Sequence, residues 1–171
     1  MKRMLPFFLA AALLALSGCA DKGGSGKDPT PEERTTHYKD AIEEARDTQT
    51  NTDFPLFVTG GETPDAIFEL LGVPKDDISA YAMSIAAANT QVYAVAAVYP
   101  AKGKADAVMQ SLKDYIKSKK QAFESDLPDQ YEIARNAKIE TLDDGTILLV
   151  MCKGQDEVFT SIKSAINKQV K

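Results

Sequence analysis

Apolar residues are distributed along this chain in three ways: one unbroken run near the N-terminus, alternations of period two, and stripes spaced by three and four. The alternating and striped parts lie after residue 52 and predict the folded elements. "DFPLFVTGG" is a short β-branched and aromatic run stopped by two glycines. "ETPDAIFELLGVP" carries helix punctuation, with Thr63 placed to cap, Pro64 at the first helical position, Asp65 at the positive end of the dipole, and Gly72 and Pro74 as the stop. Ile67, Leu70 and Leu71 form its buried side. The segment "ISAYAMSIAAANTQVYAVAAVYP" predicts two strands around a turn at Asn89 and Thr90. Side chains alternate faces along a strand. One parity holds Ala80, Ala82, Ala94 and Ala96, and the other holds Tyr81, Met83, Ile85, Tyr93, Val95 and Tyr99. So much alanine also suits a helix, but Val92, Tyr93, Val95, Val98 and Tyr99 favour a sheet.

A long helix is expected from Lys104 to Phe123, because Ala105, Val108, Leu112, Ile116 and Phe123 recur at helical spacing; Pro128 ends it. "AKIETLDDGTILLVMCK" is a hairpin signal, with Asp144-Gly145 joining two β-rich runs in a turn that needs positive φ. Its first strand alternates Ile139 and Thr141 with Lys138 and Glu140, which suggests one face in water. Ile147 to Met151 is apolar on both sides and suggests a central strand. Asp156 can cap a final helix whose inner stripe is Phe159, Ile162 and Ile166. The resulting expectation is one small α+β domain over residues 52–171. Its mainly antiparallel four-stranded sheet is built as two strand-strand-helix units, with the helices packed on the sheet. "PEERTTHYKDAIEEARD", ahead of it, has weak periodicity through Tyr38, Ile42 and Ala45 and reads as a marginal helix or an extension of the polar segment before it.

The unbroken apolar run, Leu5 to Leu16, follows Lys2 and Arg3 and ends in Ser17, Gly18 and Cys19. It is shorter than the roughly 20 residues that cross a bilayer, and it fits the core of a secretory signal. Leu16, Ser17, Gly18 and Cys19 resemble the lipobox of bacterial lipoproteins, in which the cysteine thiol accepts diacylglycerol and the chain is cut just before it. The alternative is a plain cleaved signal with an incidental cysteine. On the lipobox reading, residues 1–18 are signal peptide. Cys19 is the lipidation site, covalent diacylglycerol is the sole added group, and the protein sits on the extracytoplasmic face of the cell membrane. Residues 19–51 then begin with "ADKGGSGKDPTPEER", too polar to offset the entropy of ordering and expected to act as a flexible tether.

Charge narrows the partners. The chain has 20 basic and 25 acidic residues; removal of Lys2 and Arg3 with the signal leaves 18 against 25, a net charge of −7. No basic cluster interleaved with aromatics offers contacts for nucleic-acid phosphates or for anionic head groups.

Candidate chemistry is sparse. Cys152 lies in an apolar run and reads as a small buried hydrophobe; catalysis by its thiolate would need a base, and the single histidine, His37, precedes the domain. "TGGET" (Thr59 to Thr63) lacks the lysine and spacing of a phosphate loop. The pairs Asp76/Asp77 and Asp143/Asp144 sit beside turns, where aspartate makes local hydrogen bonds. Calcium or zinc ligand spacing is missing, so no metal is expected. Tyr81, Tyr93 and Tyr99, assigned to one face, are either core or an aromatic face able to grip a peptide, sugar or protein.

The order "GKADAV", "QYEIARNAKIETLDDGTILLVM" and a short C-terminal helix, behind a lipobox, resembles the Gram-positive lipoproteins grouped as domain of unknown function 4358, over roughly Pro64 to Ile166. That resemblance implies a location and a fold, and brings no activity, substrate or catalytic residue. The functional expectation is a non-enzymatic module that engages an envelope protein partner; the alternative is a protein that binds a small solute or cell-wall fragment.

Overall fold

The computed structural model describes residues 28–88 and 90–168. Leu16 to Cys19, the lipobox residues, lie outside the described residues, as does Asn89.

Five strands form one sheet: β1 (Phe57–Val58), β2 (Ile78–Ile85), β3 (Ala94–Pro100), β4 (Lys138–Thr141) and β5 (Ile147–Met151). Their order is β1-β2-β3-β5-β4, and every neighbouring pair is antiparallel. The architecture is thus α+β as expected, but the sheet has a fifth strand, because Phe57 and Val58 pair with Met83 and Ala82 along the outer edge of β2. Gly60, at φ 78°, then turns the chain away. β5 lies between β3 and β4, which accounts for its apolar residues on both sides.

The register between β2 and β3 corrects the face assignment. Tyr81 lies opposite Val98, Ala82 opposite Ala97 and Met83 opposite Ala96, so odd positions on one strand share a face with even positions on the other. The connection closed by Ala86 N donating to Tyr93 O at 2.9 Å sets this offset. Tyr81, Met83 and Ile85 therefore stand with Ala94, Ala96 and Val98. Tyr93, Val95 and Tyr99 stand with Ala80, Ala82 and Ala97 on the opposite face. Large side chains on one strand sit beside small ones on the next, so both faces can be covered by helices.

Six α-helices among the described residues supply that cover: α1 (Pro31–Glu44), α2 (Thr48–Asp53), α3 (Asp65–Leu71), α4 (Ala105–Phe123), α5 (Pro128–Arg135) and α6 (Gln155–Lys168). α3, α4 and α5 pack on the Tyr81 face through Phe68, Leu71, Leu112, Ile116 and Ala134. α1 and α6 pack on the Tyr93 face through Tyr38, Ile42, Ile162 and Ile166. None of these helices is long and apolar enough to cross a membrane.

Several expected boundaries shift for identifiable reasons. The packed domain begins by Pro31 rather than at 52, because α1 is an integral helix with Tyr38 and Ile42 fully buried. Its start is a capping box: Thr30 N donates to Glu33 Oε2 at 2.7 Å, and Glu33 N to Thr30 Oγ1 at 3.2 Å. α4 stops at Phe123, and Pro128 opens α5 instead of closing α4, since proline lacks only an N–H that the first helical turn leaves unused. Thr63 does not cap α3; its hydroxyl accepts from Tyr81 OH at 3.0 Å. Asp156 lies inside the first turn of α6 and pairs with Lys138 at 2.7 Å, while Lys163 pairs with Glu140 at 2.6 Å. The charged residues of β4 thus pair with α6 while staying largely exposed to water, at 45% for Lys138 and 44% for Glu140.

The β4–β5 hairpin turns through three residues. Leu142 N donates to Thr146 O at 2.7 Å, Gly145 N to Leu142 O at 3.0 Å, and positive φ is confined to Gly145 at 87°.

Candidate functional site

An arginine lies near each end of α1, Arg34 in its first turn and Arg46 just past its C-cap Ala45, and each anchors a polar constellation on the Tyr93 face. Arg34 Nη1 donates to Asp144 Oδ2 at 2.7 Å, with both side chains only 7% exposed. Its guanidinium lies 3.8 Å over the Tyr99 ring. Asp144 Oδ1 accepts from Thr146 N at 2.9 Å, and Asp144 Oδ2 from Thr146 Oγ1 at 2.8 Å. Because the threonine proton is committed there, the 2.6 Å contact between Tyr38 OH and Thr146 Oγ1 has Tyr38 as donor. Every charge in this cluster has a partner inside the fold, and its work is to fasten α1 to the hairpin.

The other end is open. The segment from Ala45 to Phe54, the start of β3, α5 and the residues after β5 enclose a cleft of about 340 Å³. Arg46, Asp47, Phe54, Tyr93, Gln130 and Cys152 line it, with Ile133 and Val158 as aliphatic wall. Phe54 and Tyr93 stack face to face, with centroids 3.9 Å apart and planes 8° from parallel. Arg46 Nη1 donates to Tyr93 OH at 3.0 Å and to Phe54 O at 3.3 Å. Arg46 Nε is shielded from water and has no partner. Gln130 Oε1 accepts from Val92 N at 2.7 Å, which ties α5 to the strand.

Electrostatics follow from burial. The Tyr93 phenol is raised above its usual range by burial, which the Arg46 charge partly opposes. The Cys152 thiol is pushed up to about 11 by burial, again opposed by Arg46. It is therefore a neutral, weak donor at neutral pH. Asp47 is held below the ordinary carboxylate value by hydrogen bonds from Thr50, whose N donates to Asp47 Oδ1 at 2.7 Å.

The sequence-predicted tyrosines are divided. Tyr81 is buried against Phe68 in an edge-to-face contact at 5.5 Å, Tyr93 lines the cleft, and Tyr99 lies beneath Arg34. They form no common exposed face. Thr59 to Thr63 is a loop in which Thr59 Oγ1 accepts from Tyr81 N at 2.7 Å. Asp77 pairs with Lys104 at 2.9 Å. Among the described residues, no group of three or more His, Cys, Asp or Glu side chains could hold a metal. Sequence reasoning passed over Arg34, Arg46 and Phe54, which lie in or beside the stretch read as tether; the capping pattern Thr30-Pro31-x-Glu33 signals α1.

Fold and cleft together define a single-domain α+β protein with an antiparallel sheet between two helical layers and a donor-lined recess at one sheet end. Residues 51–152 match the family described as Domain of unknown function (DUF4358), and the chain belongs to it. That match spans the whole sheet with α3, α4 and α5, while α1 and α6 flank it. No curated protein and no solved structure matches the chain.

Proposed function

We propose that this chain is a membrane-anchored, extracytoplasmic lipoprotein that binds a small ligand in the cleft beside Arg46, without catalysing a reaction. The observation that carries the reading is the cleft itself: a stacked aromatic wall, aliphatic lining and a few placed polar groups, the composition of small-molecule sites, with a volume near the lower end of their range. The single face of Tyr81, Tyr93 and Tyr99 expected for a protein-interaction module is divided between two helix-covered sides, which leaves that reading the edge of the sheet. Among the described residues Leu127 is the one large apolar side chain that is exposed.

Binding rather than catalysis fits the lining. Asp47 is its single carboxylate, no histidine reaches it, and the Cys152 thiol stays protonated at neutral pH. Anchoring is supported by the order of basic pair, apolar core and Leu16-Ser17-Gly18-Cys19. On this reading the lipid is joined to the N-terminal end of α1, and the cleft lies at the other end of that helix, about 20 Å along its axis at 1.5 Å per residue.

The test has two arms. Cys19→Ser should move the protein from the membrane fraction to the soluble one; unchanged retention would defeat the anchor. Titration of the isotope-labelled chain with a small-fragment library should shift the amides of Val92, Tyr93, Gln130 and Cys152. Shifts scattered elsewhere, or none, would defeat the cleft.

A further inference from the structure

The cleft has an unusual balance of hydrogen-bonding groups. Arg46 uses Nη1 on two neutral acceptors, the Phe54 carbonyl and the Tyr93 hydroxyl. Its Nε is shielded from water and unpaired, and among the described residues no carboxylate forms an ion pair with this guanidinium, which lines the cleft. Other lining groups are donors too. Gln130 has its carbonyl oxygen taken by Val92, so its amide offers N–H. Tyr93 accepts from Arg46 and keeps its own proton to give. Lys153 adds a second cation at the rim. Asp47, the lone carboxylate of the lining, has Oδ1 held by Thr50. Two cations face one carboxylate here, on a chain whose overall charge is −5.

We infer that the cleft recognises a small organic carboxylate, paired with the guanidinium of Arg46, with its apolar body against Ile133, Val158 and the Phe54–Tyr93 stack. This rests on the small-ligand reading above and names the ligand class. A carboxylate is an acceptor only, and its two oxygens match two parallel N–H groups of a guanidinium. The aliphatic wall gives an organic acid contacts that a bare inorganic oxyanion lacks. A free acid and the C-terminus of a short peptide present the same group, and both enter the test.

The full-length chain, isotope-labelled and held in detergent micelles, is titrated with acetate, N-acetylglycine, N-acetylphenylalanine and the tripeptide Gly-Gly-Phe. Each is paired with its carboxamide, and inorganic phosphate is a separate arm. The Arg46 Nε–H resonance reports the environment of the guanidinium, and the amides of Val92, Tyr93 and Gln130 report the cleft. The acids should move the Nε–H signal and bind roughly ten- to hundredfold more tightly than their amides, the discrimination expected of a charge-assisted pair. Arg46→Lys keeps the charge but loses the fork and should weaken the acids at least about tenfold. Lys117→Gln, at an exposed site on α4 that does not line the cleft, should keep their binding within about threefold. A preference for the tripeptide over the free acids assigns the natural source to a peptide end, and the reverse to a metabolite. Acids and amides binding the cleft equally, or phosphate binding as tightly as the acids, overturns the carboxylate assignment and leaves a ligand cleft. If neither acids nor amides perturb the cleft, the small-ligand reading falls with it.

Discussion

The ion pair between Arg34 and Asp144 is the sharpest place to test whether α1 belongs to the folded domain. Asp144→Asn keeps an acceptor for Thr146 N but removes the charge opposite a guanidinium that is 7% exposed. Removing one partner of a buried pair costs about 3–5 kcal/mol, because the survivor is left uncompensated. The lower end applies here, since the cluster sits at a sheet end and the Tyr99 ring still covers the cation. At about 3 °C per kcal/mol for a domain of this size, the loss of about 3 kcal/mol lowers Tm by about 10 °C. Arg34→Met should cost a similar amount through the abandoned carboxylate. The double variant should cost less than the two singles added, by about 2 kcal/mol or more, because neither leaves a stranded charge. Urea unfolding followed by circular dichroism measures all three, and the costs should change little with salt, since burial removes the pair from screening. Single variants that cost under about 1 kcal/mol, or costs that simply add, would refute the cluster as the fastening of α1.

Other expectations follow from particular contacts. Gly145→Ala should destabilise by about 1–2 kcal/mol in the same assay, since φ is 87° and the new Cβ would stand 3.4 Å from Tyr99 Cε2; an unchanged midpoint would contradict the turn geometry. Ala82→Leu, at a fully buried position opposite Ala97, should cost about 1–3 kcal/mol by forcing the overlying helical layer outward, whereas Ala87→Leu at an exposed site should be near neutral. Burial raises the Cys152 thiol from 9.0 to about 11, so the folded state holds that proton more tightly than the unfolded one. Its contribution to stability is complete below about pH 9 and is lost as pH rises through about 11, and Cys152→Ala should flatten that alkaline limb. At pH 8 the folded chain should carry about a hundredfold less thiolate there than the unfolded chain, so rapid alkylation under native conditions would contradict the burial.

The strands, the DG hairpin and the stripe of α4 were legible because each is a local pattern: alternation, a turn residue, a helical repeat. The register between β2 and β3 was not, because which parities share a face depends on the closure between Ala86 and Tyr93 rather than on either strand alone. α1 was legible only as a marginal helix, from weak periodicity, and its capping box was passed over. Its buried side includes Arg34 and Thr35 beside Tyr38 and Ile42, so the apolar stripe is diluted by groups whose partners lie more than a hundred residues away. α5 contributes a single fully buried residue, Ala134, too little for a periodic signal. The cleft draws on residues 45–54, 91–93, 130–133 and 152–158, brought together by the fold without a linear motif. Tyr93 and Cys152 were singled out from sequence for other roles; Arg46, the group that gives the recess its charge, was not.

The two arginines of this region sharpen the carboxylate argument by contrast. Both use Nη1 within the fold and both lie against a tyrosine, Arg34 over the Tyr99 ring and Arg46 on the Tyr93 hydroxyl. Arg34 meets a buried carboxylate from the same chain, and that carboxylate is itself fully hydrogen-bonded by Thr146. Arg46 meets only a carbonyl and a phenol, while the neighbouring Asp47 is turned to its own helix as the N-cap of α2. A guanidinium can satisfy a neutral acceptor and still lack a paired carboxylate, and Arg46 lines a recess with room for one. Supplying a carboxylate there by mutation, as Gln130→Glu, should therefore mimic the ligand: it should raise stability at neutral pH relative to acid and abolish binding of N-acetylglycine. A variant that still binds the acid normally would mean that the Arg46 guanidinium is not where the acid sits.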